Sequence, residues 1–303
     1  MKDRFYSNGK LLITGEYLVL EGAKVLALPT IFGQDLCVSS NEISGIQWRS
    51  FDHLNNIWFE TQLTYQEIIS GGIPDNREIR NMLVTILHGA YLQNPKFVQE
   101  QKNLLIETHL DFDRNWGLGT SSTLINNIAE WTNTDAFKLL KTTFGGSGYD
   151  IAAAKAKGAV LYQISEGKST SQSILFQPHF QDSIYFIYLN RKQDSNATIK
   201  SYKKKVVSQS DINQIDRLTE QISSTKSFDE FCSDLEKHEQ IISKVLEVET
   251  IKNQLFQDFN GTIKSLGGWG GDFILATAKE NPTKYFQDKG YKTVIPYREM
   301  ILE

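Results

Sequence analysis

Leu104-Leu105-Ile106-Glu107-Thr108-His109-Leu110-Asp111-Phe112 runs into Asp113-Arg114-Asn115-Trp116-Gly117-Leu118-Gly119-Thr120-Ser121-Ser122, and this stretch decides the fold. Its first part alternates, with Leu104, Ile106, Thr108 and Leu110 on one face, which predicts a strand. Helical text follows from Thr120 through Trp131. A glycine turn that closes a strand and opens a helix aims unbonded amides and the positive end of the helix dipole at its occupant, usually phosphate. Gly117 and Gly119 allow positive φ and close approach of backbone to a ligand. Thr120, Ser121 and Ser122 add hydroxyls that can bind phosphate oxygens or a bridging Mg²⁺. The same residues suit an ordinary Ser/Thr helix cap, and the turn alone leaves both possibilities open.

Upstream, residues 10–20 and 24–39 read as strands joined by a turn at Glu21-Gly22, and 45–50 with 57–63 as a second hairpin. Ile79, Met82, Leu83, Ile86, Leu87 and Ala90 then mark one face of an amphipathic helix. Downstream come a short helix at 135–143 and an alanine-rich helix opened by Gly145-Gly146-Ser147-Gly148 and stopped by Gly158, then a strand at 159–164. The polar residues 165–173 offer the best domain boundary. Beyond them lie a strand at 183–189 and helical text over 196–259, with a capping box at Ser227–Glu230. A strand, a glycine turn and a second strand follow at 264–278, then a helix near 282–289 and a last strand at 292–296. Strands and helices mix without strict alternation, so the expected class is α+β in two lobes, 1–168 and 169–303.

Glycine concentrates in three turns: 117–119, 145–148 and 267–271. The second leads into Asp150, in the first turn of its helix, where a carboxylate suits the dipole whether or not it has a chemical role. The third has four glycines in five residues, interrupted by Trp269. Gly-x-x-x-x-Gly-Lys-Ser/Thr is absent, and Ser122 stands where a dinucleotide fingerprint needs its third glycine, so neither a Walker-type nor a Rossmann site is expected.

The 303 residues suffice for one large domain or two ordinary ones, and 40% hydrophobic with 22% charged residues is a globular balance. A net charge of −4 gives no nucleic-acid footprint. Two cysteines, Cys37 and Cys232, exclude a disulfide framework and a cysteine-built zinc site and fit a reducing compartment. Glu16, Glu21 and Lys24 interrupt the first apolar stretch, so no signal peptide is expected, and no run approaches the ~18 uncharged apolar residues of a membrane span. The chain is expected to be soluble and cytoplasmic, without nucleic-acid or membrane partners, as a monomer or homodimer.

Three segments in order resemble the motifs of the GHMP kinases, the superfamily of galactokinase, homoserine kinase, mevalonate kinase and phosphomevalonate kinase. They are Asn8-Gly9-Lys10 running to Gly15-Glu16-Tyr17, Gly117-Leu118-Gly119-Thr120-Ser121-Ser122, and Gly267-Gly268-Trp269-Gly270-Gly271. Gly148-Tyr149-Asp150-Ile151-Ala152 is similar to the segment carrying the aspartate of mevalonate and phosphomevalonate kinases, and matches the bacterial GYDIA subgroup. The resemblance covers residues 8–278. Departures are Asn8 for the usual proline, Thr120 and Ser122 in the second motif, Trp269 in the third, and Leu139 near the place of a Mg²⁺-binding glutamate.

The resemblance implies a ribosomal-protein-S5-domain-2-like N-terminal lobe, a ferredoxin-like C-terminal lobe, and a site in the cleft between them. It implies an ATP-dependent, Mg²⁺-requiring transfer of the γ-phosphoryl group to a small-molecule acceptor, of the mevalonate or phosphomevalonate type. A sugar or amino-acid hydroxyl acceptor, or an inactive ligand-binding relative, are the alternatives. Backbone of Gly117, Leu118, Gly119, Thr120, Ser121 and Ser122 would hold the phosphates, and Ser121 the Mg²⁺. Lys10 and Asp150 would be catalytic, and Glu16, Tyr17, Gly268, Trp269, Gly270, Arg191 and Lys192 would line the acceptor. An aspartate of ordinary pKa, about 3.9, is a weak base for an alcohol, so Asp150 acts late or mainly positions the acceptor. A phosphate acceptor, already ionised, needs no base, so the chemistry leans to a hydroxyl while the motif wording leans to phosphomevalonate. Lys203-Lys204-Lys205 read as a solvated helix face.

Overall fold

The computed structural model describes residues 3–73, 76, 78–100, 102–191, 202 and 206–303. The fold is mixed α/β, and the chain forms two compact units that interleave along the sequence. Met1–Gly9, Phe32–Arg114 and Gly119–Lys155 make the first; Lys10–Ile31, Asn115–Leu118 and Ala156–Glu303 make the second.

Strands β1 (Asp3–Leu12) and β2 (Val25–Ser40) pass through both units. In the first unit the later part of β2 pairs antiparallel with β5 (Leu104–Leu110), which runs parallel to β3 (Ile46–Phe51), itself the hairpin partner of β4 (Ile57–Leu63). Ile46, Trp48 and Ser50 face inward on β3 while their neighbours are half-buried, the alternation of a sheet with one covered face. The cover comes from helices α1 (Tyr65–Ser70), α2 (Ile79–Gln93), α3 (Lys96–Gln99), α4 (Thr120–Thr132), α5 (Ala136–Thr143) and α6 (Tyr149–Lys155). Leu83, Ile86 and Leu87 of α2, Ile125 and Ile128 of α4, and Leu139 of α5 close over Trp48 and Ile106 in one core. Leu139, near the place of the family's glutamate, is therefore a core residue.

In the second unit the early part of β2 pairs with β6 (Val160–Ser165), which forms a hairpin with β7 (Lys168–Ser173). A separate antiparallel sheet runs β11 (Val294–Pro296), β8 (Ile184–Tyr188), β10 (Phe273–Thr277), β9 (Thr262–Ser265). Every residue of β8, β9 and β10 is buried. Helices α7 (Gln209–Ser224) and α8 (Phe228–Leu246) pack against each other, and α8 lies on β9; α9 (Ile251–Leu255), α10 (Thr283–Asp288) and α11 (Tyr297–Met300) complete the unit. Ile187, Phe256, Ile263, Ile274 and Phe286 form the core beside α9 and α10.

Three expectations need correction. The strand expected over 10–20 ends at Leu12: Gly15 and Tyr17 take φ of 76° and 61°, and Leu18–Glu21 is a 3-10 turn. Leu18 and Val19 are buried by that turn, and an apolar run does not distinguish the two ways of burying it. The polar stretch 165–173 contains regular structure: Lys168–Ser173 forms β7, every residue exposed, paired with β6 through backbone and through the Thr170 hydroxyl, which donates to the Gln163 carbonyl at 3.4 Å. The capping box at Ser227 is half formed: Ser227 accepts from the Glu230 amide, whereas the Glu230 carboxylate takes the Thr225 hydroxyl at 2.8 Å. Of the helical text over 196–259, α7 to α9 account for the part from residue 209. Lys192 and Lys203–Lys205 lie outside the described residues.

Candidate active site

The glycine turn passes from the second unit to the first between Leu118 and Gly119. Gly119 is the N-cap of α4, at φ 95°, and no side chain caps the helix. Ser122, buried, donates its hydroxyl back to the Gly119 carbonyl at 2.8 Å, and Thr123 to the same carbonyl at 3.2 Å. Neither hydroxyl accepts from the first-turn amides, so the ordinary Ser/Thr cap is not what these residues form. The opening turn of α4 keeps its amides for another acceptor, and the Ser121 side chain is exposed beside them. Leu118 is fully buried and offers the turn its backbone only.

On the second unit Lys10 is fixed to this turn twice. Its amide donates to the Leu118 carbonyl at 2.9 Å and its Nζ to the Gly117 carbonyl at 3.2 Å. The ammonium thus stands at the first residue of the turn. Asp272, just after the third glycine segment, reaches the same residue: a Cβ on Gly117 would stand 2.7 Å from its Oδ1. Gly117, at φ 69°, is glycine for both reasons. Asp272 itself has φ 52° and is 9% exposed; its amide donates to the Arg191 carbonyl at 2.6 Å and its carbonyl accepts from Leu189 at 2.9 Å. Trp116 meets Phe273 edge-on at 5.6 Å, packing the same two segments together.

Below lies a buried cluster of charge. Lys264, on β9 and fully buried, pairs with Glu16 and donates to the Ser265 carbonyl at 2.9 Å; Glu239 of α8 is 3.8 Å from it. Glu239 accepts from the Ser265 amide at 3.1 Å and hydroxyl at 2.8 Å. His238 accepts the Gly15 amide at Nε2, 2.8 Å away, which puts the ring proton on Nδ1. Burial raises the Glu239 carboxyl to about 7 and also raises Glu16, with Lys264 opposing both. Burial and the Lys264 charge hold His238 well below its ordinary value, so it is neutral. Glu16 therefore sits inside the unit, turned to Lys264.

Tyr17 packs with Tyr202, Ile212, Ile242 and Trp269 in one apolar cluster, and its hydroxyl accepts the Trp269 amide at 3.1 Å. The Trp269 indole, 7% exposed, is thus a core side chain, and the two family segments at 15–17 and 267–271 meet through backbone and phenol. Gly268 and Gly270 beside it are half-buried, and Arg191 is exposed. Asp150 lies in the first turn of α6, a helix packed on α4 within the first unit, and accepts from the Ile151 amide at 3.2 Å.

Solved structures align with the chain throughout. The mevalonate kinase of Methanococcus jannaschii matches with TM-score 0.73 at 14% identity, over 100% of this chain and 99% of that one. The phosphomevalonate kinase of Streptococcus pneumoniae, in complex with phosphomevalonate and AMPPNP, matches at 0.66 and 16%, over 95% of each chain. The galactokinase of Lactococcus lactis, complexed with galactose, matches at 0.66 and 12%, over 99% and 93%. The chain has the fold of the GHMP kinases. No family model and no curated protein matches its sequence.

Within that fold, the sequence pointed to Lys10 and the turn at 117–122, and the structure joins Lys10 to Gly117 and Leu118. It did not point to Lys264, His238, Glu239 or Asp272. The available signal was a lysine inside the buried strand text Thr262-Ile263-Lys264-Ser265-Leu266, directly before a glycine loop. Among the described residues no group of three or more His, Cys, Asp or Glu side chains could hold a metal. The Asp272 carboxylate beside Gly117 is a hard oxygen donor of the kind Mg²⁺ accepts when phosphates supply the remaining ligands. The residues present fit Mg²⁺ arriving with a nucleotide.

Proposed function

We propose that the chain is an ATP-dependent kinase of a small metabolite, of the mevalonate or phosphomevalonate type. The lobes are then S5-domain-2-like (1–168) and ferredoxin-like (169–303), and the protein works in the cytoplasm. The observation that carries the reading is the opening of α4: a glycine N-cap, no side-chain cap, and a lysine ammonium at the first residue of the turn. Such a turn binds polyphosphate through amides, dipole and one fixed positive charge.

In this reading the amides of Gly117–Ser122 orient the ATP phosphates, and Lys10 offsets charge on the transferred group. Mg²⁺, held by Ser121, neutralises charge on the phosphate oxygens when bound. Phosphoryl transfer rests on positioning and electrostatics, and these groups are fixed before substrate arrives. Asp150 orients the acceptor hydroxyl and takes its proton late in transfer. Tyr17, Gly268, Trp269, Gly270, Arg191 and Lys192 form the acceptor side, with Glu16 supporting Tyr17 from below. A sugar or amino-acid hydroxyl is the second reading, supported by the likeness to a galactokinase at TM-score 0.66.

The test is ADP release from Mg-ATP with mevalonate, phosphomevalonate, homoserine or galactose, by the wild type and Asp150→Asn. Turnover with one acceptor, lost in the variant, supports the kinase and names its branch. Failure to bind ATP would remove the basis of the reading.

A further inference from the structure

Two of the three family segments, both within the second unit, are tied to each other at two points. At the base, Glu16 pairs with Lys264 on β9, the strand that leads into the glycine loop Gly267–Gly271. At the top, the Tyr17 hydroxyl accepts the Trp269 amide at 3.1 Å, in the middle of that loop. Consecutive residues of one segment thus hold the root and the centre of the other. Helix α8 anchors the base from below. His238 takes the Gly15 amide at 2.8 Å, and its Nε2 lies 3.6 Å from Glu16 Oε2. Glu239, the next residue, holds the amide and hydroxyl of Ser265 beside Lys264. Neighbouring side chains of one helix therefore fix both partners of the base tie. Glu16, His238, Glu239 and Lys264 are each no more than 2% exposed. A buried ion pair adds little stability, because desolvation offsets the attraction and apolar side chains of similar volume serve as well. What it supplies here is direction, since Lys264 is held between Glu16 and the Ser265 carbonyl. The backbone so directed is an uncommon one: Gly15 and Tyr17 have φ of 76° and 61°, and a Cβ on Gly15 would strike Val25. A non-glycine residue keeps such a conformation only where its surroundings over-determine it.

We propose that Glu16, Lys264 and His238 are positioning residues for the acceptor. They lock Gly15–Tyr17 and the loop Gly267–Gly271 into one rigid piece, so that Tyr17 and the loop backbone meet the acceptor already in place. This rests on the reading of those two segments as the acceptor side. Glu16 acts through the lock, with its charge directed to Lys264 and not to the ligand. Groups fixed before binding leave no ordering to be done during transfer, and a misplacement of about 1 Å can cost roughly a hundredfold in rate.

Hydrogen exchange of the free full chain and acceptor kinetics read the lock separately. Lys264→Met alone strands two buried carboxylates, so the triple variant Glu16→Gln, Glu239→Gln, Lys264→Met is used: it carries no stranded charge, yet the tie is gone. In the triple, peptides covering 13–18 and 266–271 should both exchange faster than in wild type, with the buried strand β8 as the unchanged reference. Its kcat/KM for the acceptor should fall by about tenfold or more, while KM for ATP is kept. A role in stability alone would return exchange and kinetics to wild type together with stability. His238→Gln keeps an acceptor for the Gly15 amide and should stay near wild type; His238→Phe lacks one and should reproduce the loss. Wild-type exchange at both segments in the triple, or acceptor kinetics that recover with its stability, overturns the lock. Faster exchange at both segments, in a chain whose wild type turns over no acceptor, overturns the kinase reading and the role toward an acceptor while the lock itself stands.

Discussion

Lys264→Met removes the one cation of a buried cluster and leaves Glu16 and Glu239 facing each other's charge in a dry interior. Methionine matches the length of the lysine stem, so packing is nearly kept and the loss is electrostatic. The Lys264–Glu239 separation of 3.8 Å corresponds to roughly 4 kcal/mol at an effective dielectric of ~20. Removing one partner from a buried pair costs about 3–5 kcal/mol, in agreement. Against a total stability of about 5–15 kcal/mol, the variant should fold but unfold at much lower urea. The loss should also depend on pH. About one unit below the Glu239 value of about 7 that carboxyl is protonated in wild type and variant alike and part of the cost disappears; about one unit above it the wild-type carboxylate is ionised against Lys264, whereas the variant has no Lys264 to oppose the rise and must hold a proton or strand the charge, so the cost is larger. Urea unfolding at both pH values, followed by circular dichroism, reads the effect. The triple variant Glu16→Gln, Glu239→Gln, Lys264→Met carries no charge to strand and should recover most of the loss, which separates charge from packing. If the single variant lies within about 1 kcal/mol of wild type at both pH values, or the triple is as unstable as the single, the cluster does not work through its charges.

Glu239→Gln tests the same carboxyl from the other side. A folded-state value raised from 4.5 to about 7 means the folded protein holds this proton more tightly than the unfolded chain. Its stabilising contribution is full below about 4.5 and is lost as pH rises through about 7, so the wild-type-minus-variant difference should fall across that window. His238, neutral and held low, contributes the opposite slope below its ordinary value in both proteins and cancels in the difference. Ser122→Ala deletes the bond to the Gly119 carbonyl and should cost about 1 kcal/mol in thermal or urea unfolding. Ser121→Ala, exposed and outside any such bond, should leave stability unchanged and weaken nucleotide binding with Mg²⁺ in calorimetry. Tyr17→Phe removes the hydroxyl that accepts from the Trp269 amide and should cost about 1 kcal/mol, together with a raised KM for the acceptor.

The first unit was readable because its elements announce themselves locally. Alternation in β3 and β5 and the periodic face of α2 are each written in a few consecutive residues, and the core they share follows from that patterning. The turn at 117–122 was readable for the same reason, but its choice between cap and ligand turn was not. That choice depends on which way Ser122 rotates, and it rotates to its own Gly119 carbonyl. The strand expected over 10–20 failed at Gly15 and Tyr17, whose positive φ angles are imposed from far away in sequence. His238 takes the Gly15 amide and the Tyr17 phenol reaches Trp269, contacts spanning more than 200 residues. Glu16, Lys264 and Glu239 belong to three distant segments, and each alone reads as an ordinary charged residue; only long-range pairing makes them a cluster. Asp272 shows the same limit at the site itself. Its position after a glycine run says that it is near a turn, but that the turn is the other one, at Gly117, is a property of the folded second unit. A motif thus reports the residues that line a turn in sequence, and the carboxylate brought to it through space is the part whose chemistry the motif leaves undetermined.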